Sequence, residues 1–431
     1  MASMIVAGAT GAIGRTVVQQ AIRQPSISRV VALTRSADTD ASNYKALFGI
    51  IIASEAGGTD SGGEGANKRK KGSASPDKDV TVTPEEAAKI KPTTMDWEEF
   101  TRLWVARHNG TGAASSDLNN GTADAAGPAA ADPMEKYRGI FSGHTYAAMC
   151  LGTTRKDAGS AKNFIRCDYD YALAFTEAVL TYSAPAGLSP KAAFIHHIGD
   201  EGVSKHTHVE EGMGNELKEL VTVSDGVAQS SGTLRVFCQV SSSHANSRSW
   251  LLYTKTKGMA DEATVERVHH HNTLTTGAAA LSPVVLLLIQ PGLLERHSKS
   301  RLNERLAKLI MSSIPAETCG AAIVAACKHS PAQKSGQLAV VTSATKVVKQ
   351  DESEDMQAKR ADPVAAEPSK ASLGKPYVVT KALSTASMPG KRPLSHIYVA
   401  TNDMIKELAS RLTASAAASE GKGEGGKGPS E

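Results

Sequence analysis

The stretch Ile5-Val6-Ala7-Gly8-Ala9-Thr10-Gly11-Ala12-Ile13-Gly14-Arg15 constrains the fold more than any other part of the chain. A short apolar strand runs into a glycine turn, and the amphipathic segment Val17 to Ile22 follows at helical spacing. Strand, glycine loop and helix in that order are what a dinucleotide pyrophosphate needs. Gly8 permits a sharp turn at the strand end. Gly11 has no Cβ, so the backbone can come close to phosphate. Gly14 lets the helix pack near the strand. The helix N-terminus then offers free N–H groups and a partial positive charge to the anion. The spacing is Gly-x-x-Gly-x-x-Gly, and Gly8, Ala9, Thr10, Gly11, Ala12, Ile13 and Gly14 are the first candidate cofactor contacts. The fold class expected is α/β, a doubly wound Rossmann-type parallel sheet carrying long low-complexity insertions.

A second strand, Val30 to Leu33, ends in Thr34-Arg35-Ser36. An NAD-preferring site would place an acidic residue there to hold the ribose diol. Here a guanidinium, Arg35, and a hydroxyl, Ser36, occupy that end. A guanidinium can pair with a 2′-phosphate, so NADPH is expected in preference to NADH.

The chain has 431 residues, enough for a large core, yet only 4% of them are aromatic and 37 are Gly. One Rossmann domain over 1–412 is expected, interrupted by inserts at about 54–88, 108–133, 185–232, 272–282 and 345–393, with a disordered tail over 413–431. The net charge of +4 does not suggest a dedicated nucleic-acid binder. The basic run Lys68-Arg69-Lys70-Lys71 reads as part of a charged insert, with nuclear import as the alternative. His196, His197, His206 and His208 near Glu210 and Glu211, and His269-His270-His271 at a helix end, are not read as metal ligands. Five scattered cysteines without C-x-x-C spacing fit reduced thiols in a cytosol-like compartment. The first strand begins at Met4, so no signal peptide is expected. The apolar run Val284 to Ile289 is too short to span a bilayer.

Further strands are expected at Tyr146 to Met149, ending in Cys150-Leu151-Gly152-Thr153-Thr154-Arg155, and at Val236 to Val240, ending in Ser241-Ser242-Ser243. A long helix, roughly 160–182, carries Phe164, Asp168, Tyr171 and Phe175 at mixed three- and four-residue steps. Tyr253 and Lys257 lie four residues apart, on one face of a helix. A free phenol has a pKa near ~10 and is a poor base at neutral pH. A nearby ammonium and a cationic nicotinamide favour the phenolate. Lys257 can also bond the nicotinamide ribose, and Ser242 can hold a substrate carbonyl oxygen. The catalytic candidates are therefore Ser242, Tyr253 and Lys257, acting on a small carbonyl compound, with Tyr253 as proton donor. Lys255 is a rival lysine that points elsewhere on the helix.

In these blocks the chain resembles the atypical short-chain dehydrogenases related to the Tat-interactive oxidoreductase, which have fungal mitochondrial relatives. The resemblance is carried by Gly8-Ala9-Thr10-Gly11 to Gly14-Arg15, Phe141-Ser142-Gly143-His144 with Cys150 to Arg155, and Cys167-Asp168-Tyr169-Asp170-Tyr171. It continues in Ser241-Ser242, Ala245-Asn246, Ser249, Leu252-Tyr253, Lys257-Gly258 and Pro291-Gly292-Leu293-Leu294. It implies NADPH held by residues 9–14, Arg35, Ser36, Leu151, Gly152, Tyr253, Lys257, Leu294 and Arg301. Some members are known mainly as cofactor-binding regulators, so protein partners engaging the inserts, with little turnover, are the alternative function. The relatives add the mitochondrial surface as an alternative location. His244 stands where the family has glycine, and Gln290 stands where it has the arginine before Pro-Gly, which removes any anchoring charge there.

Overall fold

The computed structural model describes residues 1–53, 79–113, 134–183, 233–276, 283–295, 313–329, 375–378 and 393–420. In β1 (Ala2–Ala7), Met4, Ile5, Val6 and Ala7 have no exposed surface. A strand apolar on both sides belongs in the middle of a sheet that is covered on both faces. It is followed in chain order by β2 (Ile27–Thr34), β3 (Ile50–Ile52), β4 (Val80–Val82), β5 (Ile90–Thr94), β6 (Tyr146–Met149) and β7 (Val236–Val240). Then come β8 (Val285–Ile289), β9 (Leu293–Glu295), β10 (Ser313–Pro315), β11 (Lys375–Val378) and β12 (Pro393–Ala400).

The main sheet has eight strands in the order β11-β12-β8-β7-β6-β1-β2-β5. All its pairs are parallel except β11 with β12 at one edge. Pro92, which has no N–H to donate, lies in β5, the opposite edge strand. Counted along the chain, the parallel strands lie in the order third, second, first, fourth, fifth, sixth, seventh. This is the doubly wound Rossmann arrangement, and the order reverses between β1 and β6. Met4 and Val6 face one apolar core with the helices Ala12–Ile22 and Ala316–His329. Ile5 and Ala7 face another, with Trp97, Phe100, Trp104, Phe141 and Phe175. That alternation is the period of a strand buried between two helical layers.

Order extends into several stretches that composition marks as inserts. Within 54–88, β4 pairs with β3, and a helix, Pro84–Ala88, follows it. Thr83 Oγ1 accepts from Glu86 N–H at 3.2 Å while Glu86 Oε2 accepts from Thr83 N–H at 3.1 Å, with Pro84 at the first helical position. The helix Trp97–Ala113 runs into 108–133, and the helix Leu252–Thr276 runs into 272–282. Asn272 explains the second case, because its side chain bonds both N–H and C=O of Val284 at 2.8 and 2.9 Å and so ties the helix end to β8. β11 lies inside 345–393. The helix Asn402–Glu420 continues past 413 through the good helix former Ala414 and Ala416 to Ala418. His269, His270 and His271 do not sit at a helix end, because the helix runs on to Thr276, and burial pushes the His271 pKa down to about 4. Arg301, Lys68 to Lys71, and the histidines at 196–208 with Glu210 and Glu211 lie outside the described residues.

Candidate active site

The loop after β1 turns at Gly8, whose φ is +72°. A Cβ there would lie 2.7 Å from the backbone of Cys150 and Leu151, and one at Gly14 would lie 2.1 Å from Gly8 O. Without side chains at these positions, the helix Ala12–Ile22 and the loop after β6 both close onto the turn. Gly11 precedes that helix with no side-chain cap, and the first turn has no acidic residue. Thr10, Gly11 and Ala12 are exposed while Ala9 and Ile13 are buried beneath them. Uncapped N–H groups at an exposed, acid-free helix start fit an anionic pyrophosphate. They stand at the sheet's switch point, where ligands of such folds bind.

The loop after β6 joins this cradle to the helix Leu252–Thr276. Cys150 N–H donates to Ala7 O at 2.9 Å. Two residues on, a Cβ at Gly152 would lie 3.4 Å from Lys257 Nζ. The Lys257 side chain is 8% exposed, and its ammonium lies 2.8 Å from Oδ1 of Asp168, which is 0% exposed. Asp168 Oδ2 accepts the Thr153 N–H at 2.9 Å. Burial alone would lower the Lys257 pKa. The Asp168 carboxylate, with Tyr253 and Asp261 behind it, outweighs that and holds the lysine above its ordinary value. Asp168 reaches this position from a π turn, Arg166–Asp170, which interrupts the expected long helix between Ala161–Ile165 and Tyr171–Ser183.

Tyr253 stands one turn before Lys257, 43% exposed, with its ring 5.9 Å from that of Phe164. Ser242 lies at the start of the loop after β7, half-buried, and its C=O accepts from Ala245 N–H at 3.0 Å. Ser243 N–H donates to Pro291 O at 2.9 Å, joining the loops after β7 and β8. Arg35 is exposed at the end of β2 and acts electrostatically on Cys167, within the π turn. Burial, then Asp168, pushes that thiol up to about 11 against the pull of Lys257 and Arg35. The Ser36 hydroxyl donates to Asp38 O at 3.1 Å. Leu294 is half-buried on β9, against the apolar core.

Two acids were missing from the candidates read in the sequence. Asp168 is one. The other is Asp261, buried one turn beyond Lys257. It accepts from Ser241 Oγ at 2.6 Å and from Gln239 Nε2 and Gln290 Nε2 at 3.0 Å each. Burial pushes Asp261 up to about 6 despite these donors. Gln290, read as the loss of an anchoring charge, is therefore an anchor through its amide. Asp261 lies four residues from Lys257, a spacing that marks a shared helix face.

Strand order and the glycine turn between β1 and the helix Ala12–Ile22 together define a Rossmann-type α/β fold. No protein-family model and no curated protein matches the chain. Among solved structures, it is similar to yeast methylglyoxal/isovaleraldehyde reductase complexed with NADPH, at 11% identity over 75% of this chain and 73% of that one, TM-score 0.38. It is also similar to vestitone reductase from alfalfa, at 9% identity over 77% and 74%, TM-score 0.36. A third is UDP-glucuronic acid 4-epimerase from Bacillus cereus in complex with NAD, at 10% identity over 76% and 73%, TM-score 0.33. Among the described residues, no helix is long and apolar enough to cross a membrane.

Proposed function

We propose that the chain is an NADPH-dependent oxidoreductase of the short-chain dehydrogenase kind that reduces a small carbonyl compound. One observation carries this reading: Lys257 packs against the Gly152 loop, next to the point where that loop packs on Gly8. Residues far apart in sequence meet in one crevice, with Tyr253 a helical turn away. Residues Gly8 to Gly14 would hold the pyrophosphate, Arg35 and Ser36 the 2′-phosphate, and Leu151, Gly152 and Lys257 the nicotinamide ribose. Leu294 and Arg301 would complete the cofactor contacts.

NADPH, when bound, supplies a hydride. Ser242 Oγ donates a hydrogen bond to the substrate carbonyl oxygen and fixes its place. Tyr253 Oη gives that oxygen a proton. The Lys257 ammonium stabilises the phenolate left behind. NADPH oxidation over a panel of aldehydes and ketones tests the reading. Tyr253→Phe should lower kcat by about 10²- to 10⁴-fold, the usual weight of a positioned proton donor, with NADPH affinity kept. Equal inertness of parent and variant would end the catalytic reading. Calorimetry that detects no affinity for NADPH or NADH would end the cofactor reading as well.

A further inference from the structure

Asp168 takes no part in the proton transfer above, yet its side chain is wholly buried beside Lys257. A carboxylate in such a place is costly unless it is both paired and hydrogen-bonded. Oδ1 meets Lys257 Nζ at 2.8 Å, and Oδ2 takes the Thr153 N–H at 2.9 Å. One side chain thus ties the catalytic helix to the loop after β6. The π turn Arg166–Asp170 re-aims Asp168 relative to a regular helix, and turns of this kind cluster at functional sites. Gly152 lies alongside the pair: a Cβ there would meet Lys257 Nζ at 3.4 Å and Asp168 Oδ1 at 3.6 Å, ordinary contact distances. An ammonium has three N–H donors. The ion pair with Asp168 holds that ammonium facing the Gly152 turn.

We infer that Asp168 is a positioning residue of the nucleotide site, whose carboxylate locks the Lys257 ammonium against the Leu151–Thr153 loop and so sets how both meet the nucleotide. The inference rests on reading the crevice as a nucleotide site. A merely structural ion pair would affect stability and leave affinity alone.

Asp168→Asn keeps the size and a carbonyl oxygen for Thr153 but removes the charge. Calorimetry should find NADPH binding about tenfold weaker in Asp168→Asn and in Lys257→Gln. The double variant should bind within about twofold of Lys257→Gln, because Asp168 acts through the lysine. Removing both charges is better tolerated than stranding one, so this last comparison stands even where Asp168→Asn does not fold. In nucleotide-free protein, each single substitution should lower the melting temperature and the double variant should recover part of the loss. Affinity losses that multiply in the double variant overturn the inference. So does an Asp168→Asn protein that melts lower yet binds NADPH as the parent does. A parent chain that binds no NADPH fails the reading of the crevice, and the inference with it, before any variant is compared.

Discussion

Gly258 follows Lys257 within the helix Leu252–Thr276, where propensity alone favours alanine over glycine by about 1 kcal/mol. Packing reverses that sign. A Cβ at Gly258 would lie 2.2 Å from Ser247 N and 2.3 Å from Asn246 C. The loop would have to retreat by roughly 1 Å to restore ordinary contact. It is tied in place, because Asn246 N–H donates to Thr254 O at 2.9 Å and Ser247 Oγ donates to Glu262 Oε1 at 2.5 Å. Overpacking costs about 1–3 kcal/mol, and opposing backbone atoms push towards the upper end. Less the propensity gain, Gly258→Ala should lose about 1–2 kcal/mol, or roughly 2–8 °C in melting temperature. Gly139, exposed in the helix Glu135–Phe141, is the control: a Cβ there meets nothing within 4 Å. Gly139→Ala should gain about 0.5–1 kcal/mol. Thermal unfolding of the parent and both variants by circular dichroism decides the matter. A Gly258→Ala protein that melts at or above the parent refutes the packing argument.

His144 Nε2–H donates to Ile140 O at 2.7 Å, so Nδ1 accepts from Ser3 Oγ at 3.0 Å. Burial holds its pKa down to about 4. With the folded value below the unfolded one, this stability is complete above about pH 6.5 and is lost as pH falls through 4, up to about 3 kcal/mol. Urea midpoints should fall further between pH 7.5 and 4.5 in the parent than in His144→Gln; parallel falls would refute the assignment. Arg35→Glu should weaken NADPH binding by about tenfold or more and leave NADH binding unchanged or improved, since a carboxylate repels a 2′-phosphate and suits a ribose diol. An unchanged NADPH-to-NADH affinity ratio would remove Arg35 from the site.

The doubly wound sheet could be read from the chain because its signals are local. Val6-Ala7-Gly8 announces a strand and turn, and Tyr253 with Lys257 announces a shared helix face. Asp168 was visible as an acid among Phe164, Tyr171 and Phe175 on a helix and as part of the Cys167 to Tyr171 block, but not as a partner of Lys257. Regular periodicity does not reveal a π turn, and the partners of Asp168, Lys257 and Thr153, come from other elements. β4 and β11 lay hidden in polar stretches because pairing with β3 and β12, not composition, gives them order. Gln290 looked like a missing charge until Asp261 stood opposite it.

The sequence by itself determined the strand–glycine–helix opening, the run of strands and helices behind it, and the side-chain types available for proton transfer. Backbone sterics and side-chain period act between near neighbours, so a linear reading can follow them. Only the tertiary structure decided which buried charge meets which, because burial makes an unpaired charge costly and the partner that relieves that cost lies wherever the fold brings it. The pairing of Lys257 with Asp168, and of Asp261 with Gln239, Ser241 and Gln290, is of that kind.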